Sequence, residues 1–387
     1  MFSSRVAGAL QLNRLSRAVA AHRAAARTLL DLTVTNPTAA GIRYPENILA
    51  PLSDPRAAGY QPEPFGLIDA RRAVAADYAR RGIGVAESRI VLTASTSEAY
   101  SLLFKLLCEP ADDDVLVPAP SYPLFDHLTR LDGVQSRPYA LEYYGRWELD
   151  TASVDAAWTE RTRAVLAVSP NNPTGSLLSG SELEALGSRC ALRGAVLIVD
   201  EVFADYPLAA SHSPGSGQGA ECLTFYLGGL SKSAGLPQVK LGWIRVDGPD
   251  DLVTEALDRL ELICDTYLSV STPVQVAAPA LIASGGEIRQ QIMERVRTNY
   301  STLRREAASA PSVQLLEAEA GWSAVVRVPA TWSEEDLVVA LLEQRDVLVH
   351  PGFFFDFPHE AFLVISLLPE PLVFNSGIER VMEHVVG

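Results

Sequence analysis

AVLIVDEVFADY, residues 195–206, sets five apolar residues, three of them β-branched, ahead of an aspartate, after which the chain turns polar. A short apolar run bounded by turn residues reads as a buried strand. Asp200 then stands at the strand's exit, where a carboxylate is costly unless a cation faces it.

The same pattern recurs outward along the chain. Strands are expected at RIVLTA (89–94), DVLVPAP (114–120), RAVLAVSP (163–170), TFYLGGL (224–230) and LGWIRV (241–246). Helical stretches separate them, such as 95–109 and 178–193, the latter opening on serine caps with acidic residues in its first turn. Strands alternating with helices predict an α/β fold with a largely parallel sheet. Residues 321–369, after a long helix near 275–308, read as a smaller α+β unit. The expected organisation is an N-terminal arm and helix over 1–50, packing with the small domain, a large domain over 51–275 and a small C-terminal domain over 276–387.

Open α/β sheets bind ligands beyond the carboxyl ends of their strands, so the residues there form the candidate site. ASTSEA (94–99) opens a helix with small hydroxyl residues, where free N–H groups and the helix dipole favour a phosphate. Tyr122 in PSYPLF is a flat surface for an aromatic ligand, or ordinary packing. SPNNPTG (169–175) is more polar than a turn requires, and Asp200 follows the next strand. After the fifth comes GGLSKSAGLPQVKLGW (228–243), which by composition alone is a solvated loop with two lysines, Lys232 and Lys240. Together these strand ends supply a phosphate cradle, an aromatic plate, an amide, a buried carboxylate and a lysine, the set a pyridoxal phosphate site requires.

On these segments the sequence resembles the fold-type I, class I/II aminotransferases. SPNNPTG is similar to that family's NPNNPTG turn, VDEVFADY to its DExY segment, and residues 228–243 to its SFSKxFGLxGxRxG signature. The resemblance covers nearly the whole chain from about residue 30. It implies a three-layer α/β/α large domain with a mainly parallel sheet, a smaller α+β domain, and pyridoxal 5′-phosphate as cofactor. It implies Lys232 as the Schiff-base lysine and proton shuttle, Asp200 on the pyridine nitrogen, Asn172 on the ring oxygen and Tyr122 on the ring face. Ser95 and Thr96 would hold the phosphate, with Tyr60 reaching it from a neighbouring subunit, which implies a homodimer. The implied activity is amino transfer between an amino donor and an oxo acceptor by a ping-pong cycle.

Three positions depart from the family pattern. Phe203 replaces the tyrosine that donates to the cofactor's ring oxygen, so the cofactor–lysine link is expected to hold its proton to higher pH. Lys240 replaces the phosphate-binding arginine, keeping the charge without the bidentate fork, and Gly229 replaces the first serine of the signature. Val364 replaces the arginine that binds the substrate α-carboxylate. Either Arg43 serves instead, with help from Asn172, or the substrate lacks a carboxylate at that place; a misalignment of a few residues is a third reading. These departures keep a decarboxylase or lyase on the same fold open, beside a non-catalytic cofactor-binding regulatory or scaffold protein.

Composition excludes other classes. The chain has 387 residues and a net charge of −15, which argues against nucleic acid or anionic membrane as partner. No apolar run approaches the ~20 residues of a membrane span. The cysteines and histidines lack ligand spacing, so no metal is expected, and the scattered cysteines fit a reducing, cytoplasmic compartment. The arginine-rich start, without an acid before Asp31, has the composition of a transit peptide; a helix capped by Asn13 is the preferred reading.

Overall fold

A computed structural model describes residues 2–6, 12–209 and 221–386. Met1 and residues 7–11 of the expected N-terminal arm lie outside these, as does the segment 210–220.

The stretch 195–206 forms a strand over Val196–Asp200, and its side chains show why the run is apolar throughout. Val196 and Ile198 enter one buried cluster, Leu197 and Val199 another on the opposite face. Each such side chain contributes roughly 1.5–3 kcal/mol on leaving water, so both sheet faces must be covered. One cover is helical residues such as Leu103, Phe104 and Leu260, the other Leu186 and Cys190.

Eight strands build this sheet: β1 (Ile90–Thr93), β2 (Asp114–Ala119), β3 (Gln135–Tyr143), β4 (Trp147–Leu149), β5 (Thr162–Val168), β6 (Val196–Asp200), β7 (Thr224–Gly229) and β8 (Gly242–Asp247). Their spatial order is β1-β8-β7-β6-β5-β2-β3-β4. Neighbours from β7 across to β3 run parallel. β8 runs antiparallel to both β7 and β1, and β4 antiparallel to β3. β1 therefore points the same way as the parallel set. The carboxyl ends of β1, β2, β5, β6 and β7 share one edge with the start of β8, and that edge carries the site.

The helices begin and end where local chemistry dictates. Helix α1 (Arg14–Ala24) is capped by Asn13, whose side chain accepts from the Ser16 N–H at 2.7 Å. α2 (Thr96–Leu107) starts on Ser95, which accepts from the Glu98 N–H while Glu98 accepts from the Ala94 N–H. α3 (Gly180–Arg193) has a full capping box between Ser179 and Glu182 and stops at Gly194, whose left-handed conformation satisfies the last carbonyls.

A second, antiparallel sheet has the order β9-β10-β12-β11, from β9 (Gln314–Leu316), β10 (Ser323–Arg327), β11 (His350–Pro351) and β12 (Phe362–Ser366). The long helix α4 (Thr272–Ala308) leads into it. The N-terminal segment packs on this side: His22 meets Asp346 at 2.9 Å, and Leu30–Asp31 pairs in parallel with Val347–Leu348.

Candidate active site

A cavity of about 360 Å³ opens at the carboxyl edge of the large sheet. Ser95, Thr96, Tyr122, Asn172, Asp200, Phe203, Lys232 and Lys240 all line it. Residues up to 145 positions apart in sequence thus meet because the parallel strands deliver their ends to one edge. Each position follows from local structure.

β6 carries Asp200 into the cavity floor, where it is 7% exposed. Tyr100, one turn into α2, donates to its Oδ2 at 2.9 Å, and the Val202 N–H donates to Oδ1 at 3.1 Å. Burial raises the carboxyl to about 6, although these two donors and Lys232 favour its charged form. An anionic carboxylate in this setting is arranged for a cationic partner on the cavity side.

Lys232 rises from the short helix Leu230–Ser233 that follows β7. Its backbone is fixed on both flanks: the Tyr206 hydroxyl donates to its carbonyl at 2.5 Å, and Arg289 of α4 donates to the Ser233 carbonyl at 2.8 Å. Its Nζ lies 4.9 Å from the centre of the Trp322 ring and 5.5 Å from that of Phe203. Among the described residues it has no carboxylate within ion-pair distance. Burial lowers the ammonium to about 8, opposed by Asp200. The neutral, nucleophilic amine is therefore accessible near physiological pH.

The two asparagines of the 169–175 turn divide the work. Asn171 is buried and braces the turn, donating to the Pro120 carbonyl and Thr174 while accepting from Ser121. Asn172 faces the cavity, and the Ser323 hydroxyl donates to its Oδ1 at 3.4 Å, which leaves the amide nitrogen for a ligand. Tyr122 sits at the mouth with its ring edge-on to Phe125.

An anion cradle lies opposite. The N–H groups of Thr96 and Ser97 open α2 without intrahelical acceptors, and Ser231 and Lys240 face the same cavity. Gly242 permits this: a Cβ there would come within 3.0 Å of the Ser95 carbonyl carbon and 3.1 Å of the Thr96 nitrogen. Gly229 is explained similarly, since its Cβ would press on the Leu241 carbonyl at 3.1 Å. Lys240 adopts a left-handed conformation, φ +58°, at the start of β8. The sequence holds three lysines, and the third, Lys105, is paired with Asp132. Both remaining lysines face this cavity.

Two expected residues are not in the cavity. Tyr60 is 71% exposed in a surface groove with Tyr267 and Leu268. Arg43 is tied by its backbone to Gln291 of α4, which both donates to and accepts from it, and it does not line the cavity. Val364 is 2% exposed, packed in an apolar cluster with Trp147, Leu316, Val325, Phe355 and Phe357. Sequence reasoning missed Tyr100, Trp322, Ser323 and Thr35, which also belong to the site.

The donor set fits pyridoxal phosphate. A buried carboxylate suits a ring nitrogen, a depressed lysine suits an aldehyde, and a helix start with Lys240 suits a phosphate. Phe203 and Trp322 meet edge-to-face at 5.3 Å, so no phenol stands where Phe203 does. Tyr206 cannot substitute, because its hydroxyl is committed to Lys232.

Comparisons with known proteins agree with this geometry. The family described as aminotransferase class I and II matches residues 30–372. The chain is 26% identical over 380 residues to an alanine aminotransferase of Mycobacterium tuberculosis, covering 93% of this chain and 86% of that protein. It is 30% identical over 227 residues to an S-alkyl-thiohydroximate lyase of Arabidopsis thaliana, SUR1, covering 56% of this chain and 48% of that one. An alanine aminotransferase structure from Pyrococcus furiosus superposes with a TM-score of 0.85 at 22% identity, over 95% of each chain.

Proposed function

The chain belongs to the class I and II aminotransferases, a family dependent on pyridoxal phosphate, and from that premise we propose how its own residues carry out amino transfer. The protein is a fold-type I α/β transaminase that moves an amino group between an amino donor and an oxo acceptor. The observation that carries the residue assignment is the meeting of Lys232 and Asp200 in one cavity with the start of α2.

In this reading Lys232 binds the cofactor's aldehyde carbon, Asp200 holds the ring nitrogen and Asn172 donates to the ring oxygen. Tyr122 covers one ring face. Thr96, Ser97, Ser231 and Lys240 hold the phosphate, with Ser95 capping the helix that presents it. When bound, the cofactor supplies the electron sink that acidifies the donor's amine-bearing carbon. The Lys232 amine, the base nearest the space the donor would occupy, would take the proton from that carbon and return it on the other side of the transfer. Its depressed ammonium makes it a competent base near pH 8. Asp200, braced by Tyr100, would hold a proton on the ring nitrogen. Trp322 and Phe203 close the space around Lys232 and keep water from the proton in transit.

Two further points are part of the proposal. The molecule works as a homodimer in which Tyr60, exposed on one protomer, completes the phosphate site of the other. It acts in the cytoplasm, in keeping with four free, buried cysteines. No single helix among the described residues is long and apolar enough to cross a membrane.

Reconstitution decides the assignment. Apoprotein mixed with pyridoxal phosphate should gain a visible absorbance band that an amino donor discharges and an oxo acceptor restores. Lys232→Ala should abolish the band and lower turnover by about 10³-fold or more. An intact band in that variant would overturn the role of Lys232. Release of ammonia or carbon dioxide without band discharge would favour lyase or decarboxylase chemistry, the reading that the SUR1 likeness keeps in view.

A further inference from the structure

We infer that the amino donor of this enzyme carries no free carboxylate on the carbon that bears its nitrogen. This rests on the reading of the cavity given above and names the substrate class of that same site.

Charge in the cavity leads to this conclusion. Among the described residues lining it, the cationic side chains are Lys232 and Lys240, and the anionic one is Asp200. The proposed cofactor engages all three: Lys232 through its aldehyde, Lys240 through its phosphate, Asp200 through its ring nitrogen. A carboxylate on the donor would meet no remaining cation of the same protomer, and the rest of the lining is uncharged, with Val168, Val202, Phe203, Leu241 and Trp322 beside hydroxyls and the Asn172 amide. A desolvated carboxylate without a partner is among the least favourable groups to place in such a space.

Four arginines near the site are committed elsewhere, and Arg43, whose backbone is held by Gln291, does not line the cavity. Arg81 pairs with Glu201 at 2.9 Å. Arg289 donates to the Ser233 carbonyl and faces Asp77 and Asp205. Arg80 pairs with the same two aspartates. Arg295 donates to the carbonyls of Ala40 and Leu368. On the side of the second sheet, the wall behind Ser323 is the apolar cluster around Val325, Val364 and Phe355.

The site therefore suits a neutral-bodied primary amine, and in the return half of the cycle an aldehyde or ketone of matching character. The exchange balances without an outside oxidant. The donor's C–N bond breaks and it leaves as a carbonyl compound. Its nitrogen, with the α-proton and the electron pair of the C–H bond, ends on the acceptor carbon, and the acceptor's oxygen leaves as water while water supplies the donor's new carbonyl oxygen.

Matched donors test this on the holoenzyme: L-alanine against 2-aminopropane, and L-phenylalanine against L-phenylalaninol. Discharge of the visible band in single turnovers should be at least tenfold more efficient for the amine of each pair. Calorimetry should show 3-phenylpropionate binding the holoenzyme no more tightly than 3-phenylpropan-1-ol. Thr35→Arg, at an exposed position on the cavity rim, should shift the ratio toward the amino acids by tenfold or more. Amino acids that match or exceed their amines, or tighter binding of the carboxylate probe, would overturn the inference while leaving the cofactor site intact. Failure to form the band at all would instead remove the reading of the site on which it rests.

Discussion

Lys232 and Asp200 stand in the same pocket with their proton affinities displaced toward each other, the amine down to about 8 and the carboxyl up to about 6. Burial disfavours charge on both, and their mutual attraction offsets part of it. The sign matters for cofactor uptake, because only the neutral amine condenses with an aldehyde. Reincorporation of pyridoxal phosphate into apoprotein should therefore accelerate as pH rises through about 8 and then level, measured by growth of the visible band in stopped flow. A rate still climbing toward 10.5, where an ordinary lysine titrates, would show that burial does not act this way. Phe203 gives a second test. Phe203→Tyr adds a donor for the ring oxygen, and a bond to a charged group is worth about 1.5–3 kcal/mol. The pH at which the holoenzyme band titrates should fall by about one unit or more. No shift would mean that the tyrosine hydroxyl does not reach that oxygen.

Among the elements, the six strands read from sequence are present, each within two residues of its expected ends, because a buried strand announces itself by composition alone. β3 and β4 were not legible. Gln135–Tyr143 carries Arg137, Pro138 and Glu142 near the sheet edge and is only partly buried, so its residues are chosen by local pairing rather than by a core. Leu30–Asp31 is a two-residue strand, as short as its partner Val347–Leu348. The site residues at strand ends were legible for the same topological reason that brings them together. Tyr100 and Trp322 were not: an aromatic on a helix face or after a glycine is ordinary core chemistry until the fold shows what it touches. Gly242 belongs to this scale as well. Gly242→Ala forces the start of β8 away from the opening of α2, so the apparent affinity for pyridoxal phosphate should fall about tenfold. Stability should drop by about 1–3 kcal/mol, the usual range for overpacking. Equilibrium titration and thermal melting check both, and a variant unchanged in each would show that the close approach is not required.

For the whole molecule, the question is how many chains make one site. Tyr60, Tyr267 and Leu262 are exposed aromatic and aliphatic side chains, and Tyr60 shares a groove with Tyr267. Sedimentation should give twice the chain mass. Tyr60→Phe should leave that mass unchanged and weaken cofactor binding by about tenfold, the loss of one bond to a charged oxygen. A monomer with full cofactor affinity would end the shared-site proposal. The N-terminal segment also acts at this scale: α1 and Leu30–Asp31 tie it to the stretch Asp346–Leu348, while Thr35 just beyond reaches the cavity rim.

The reversed direction of β8 has one more consequence. Because β7 ends and β8 begins on the same edge, one excursion of about a dozen residues supplies both lysines, and its two ends are fixed by adjacent strands in register. Under the proposed assignment, the spacing between Lys232 and Lys240 is a ruler for the ligand rather than a linker. Across divergent descendants of this chain, the excursion should keep its length as strictly as it keeps Lys232 and a cation at position 240.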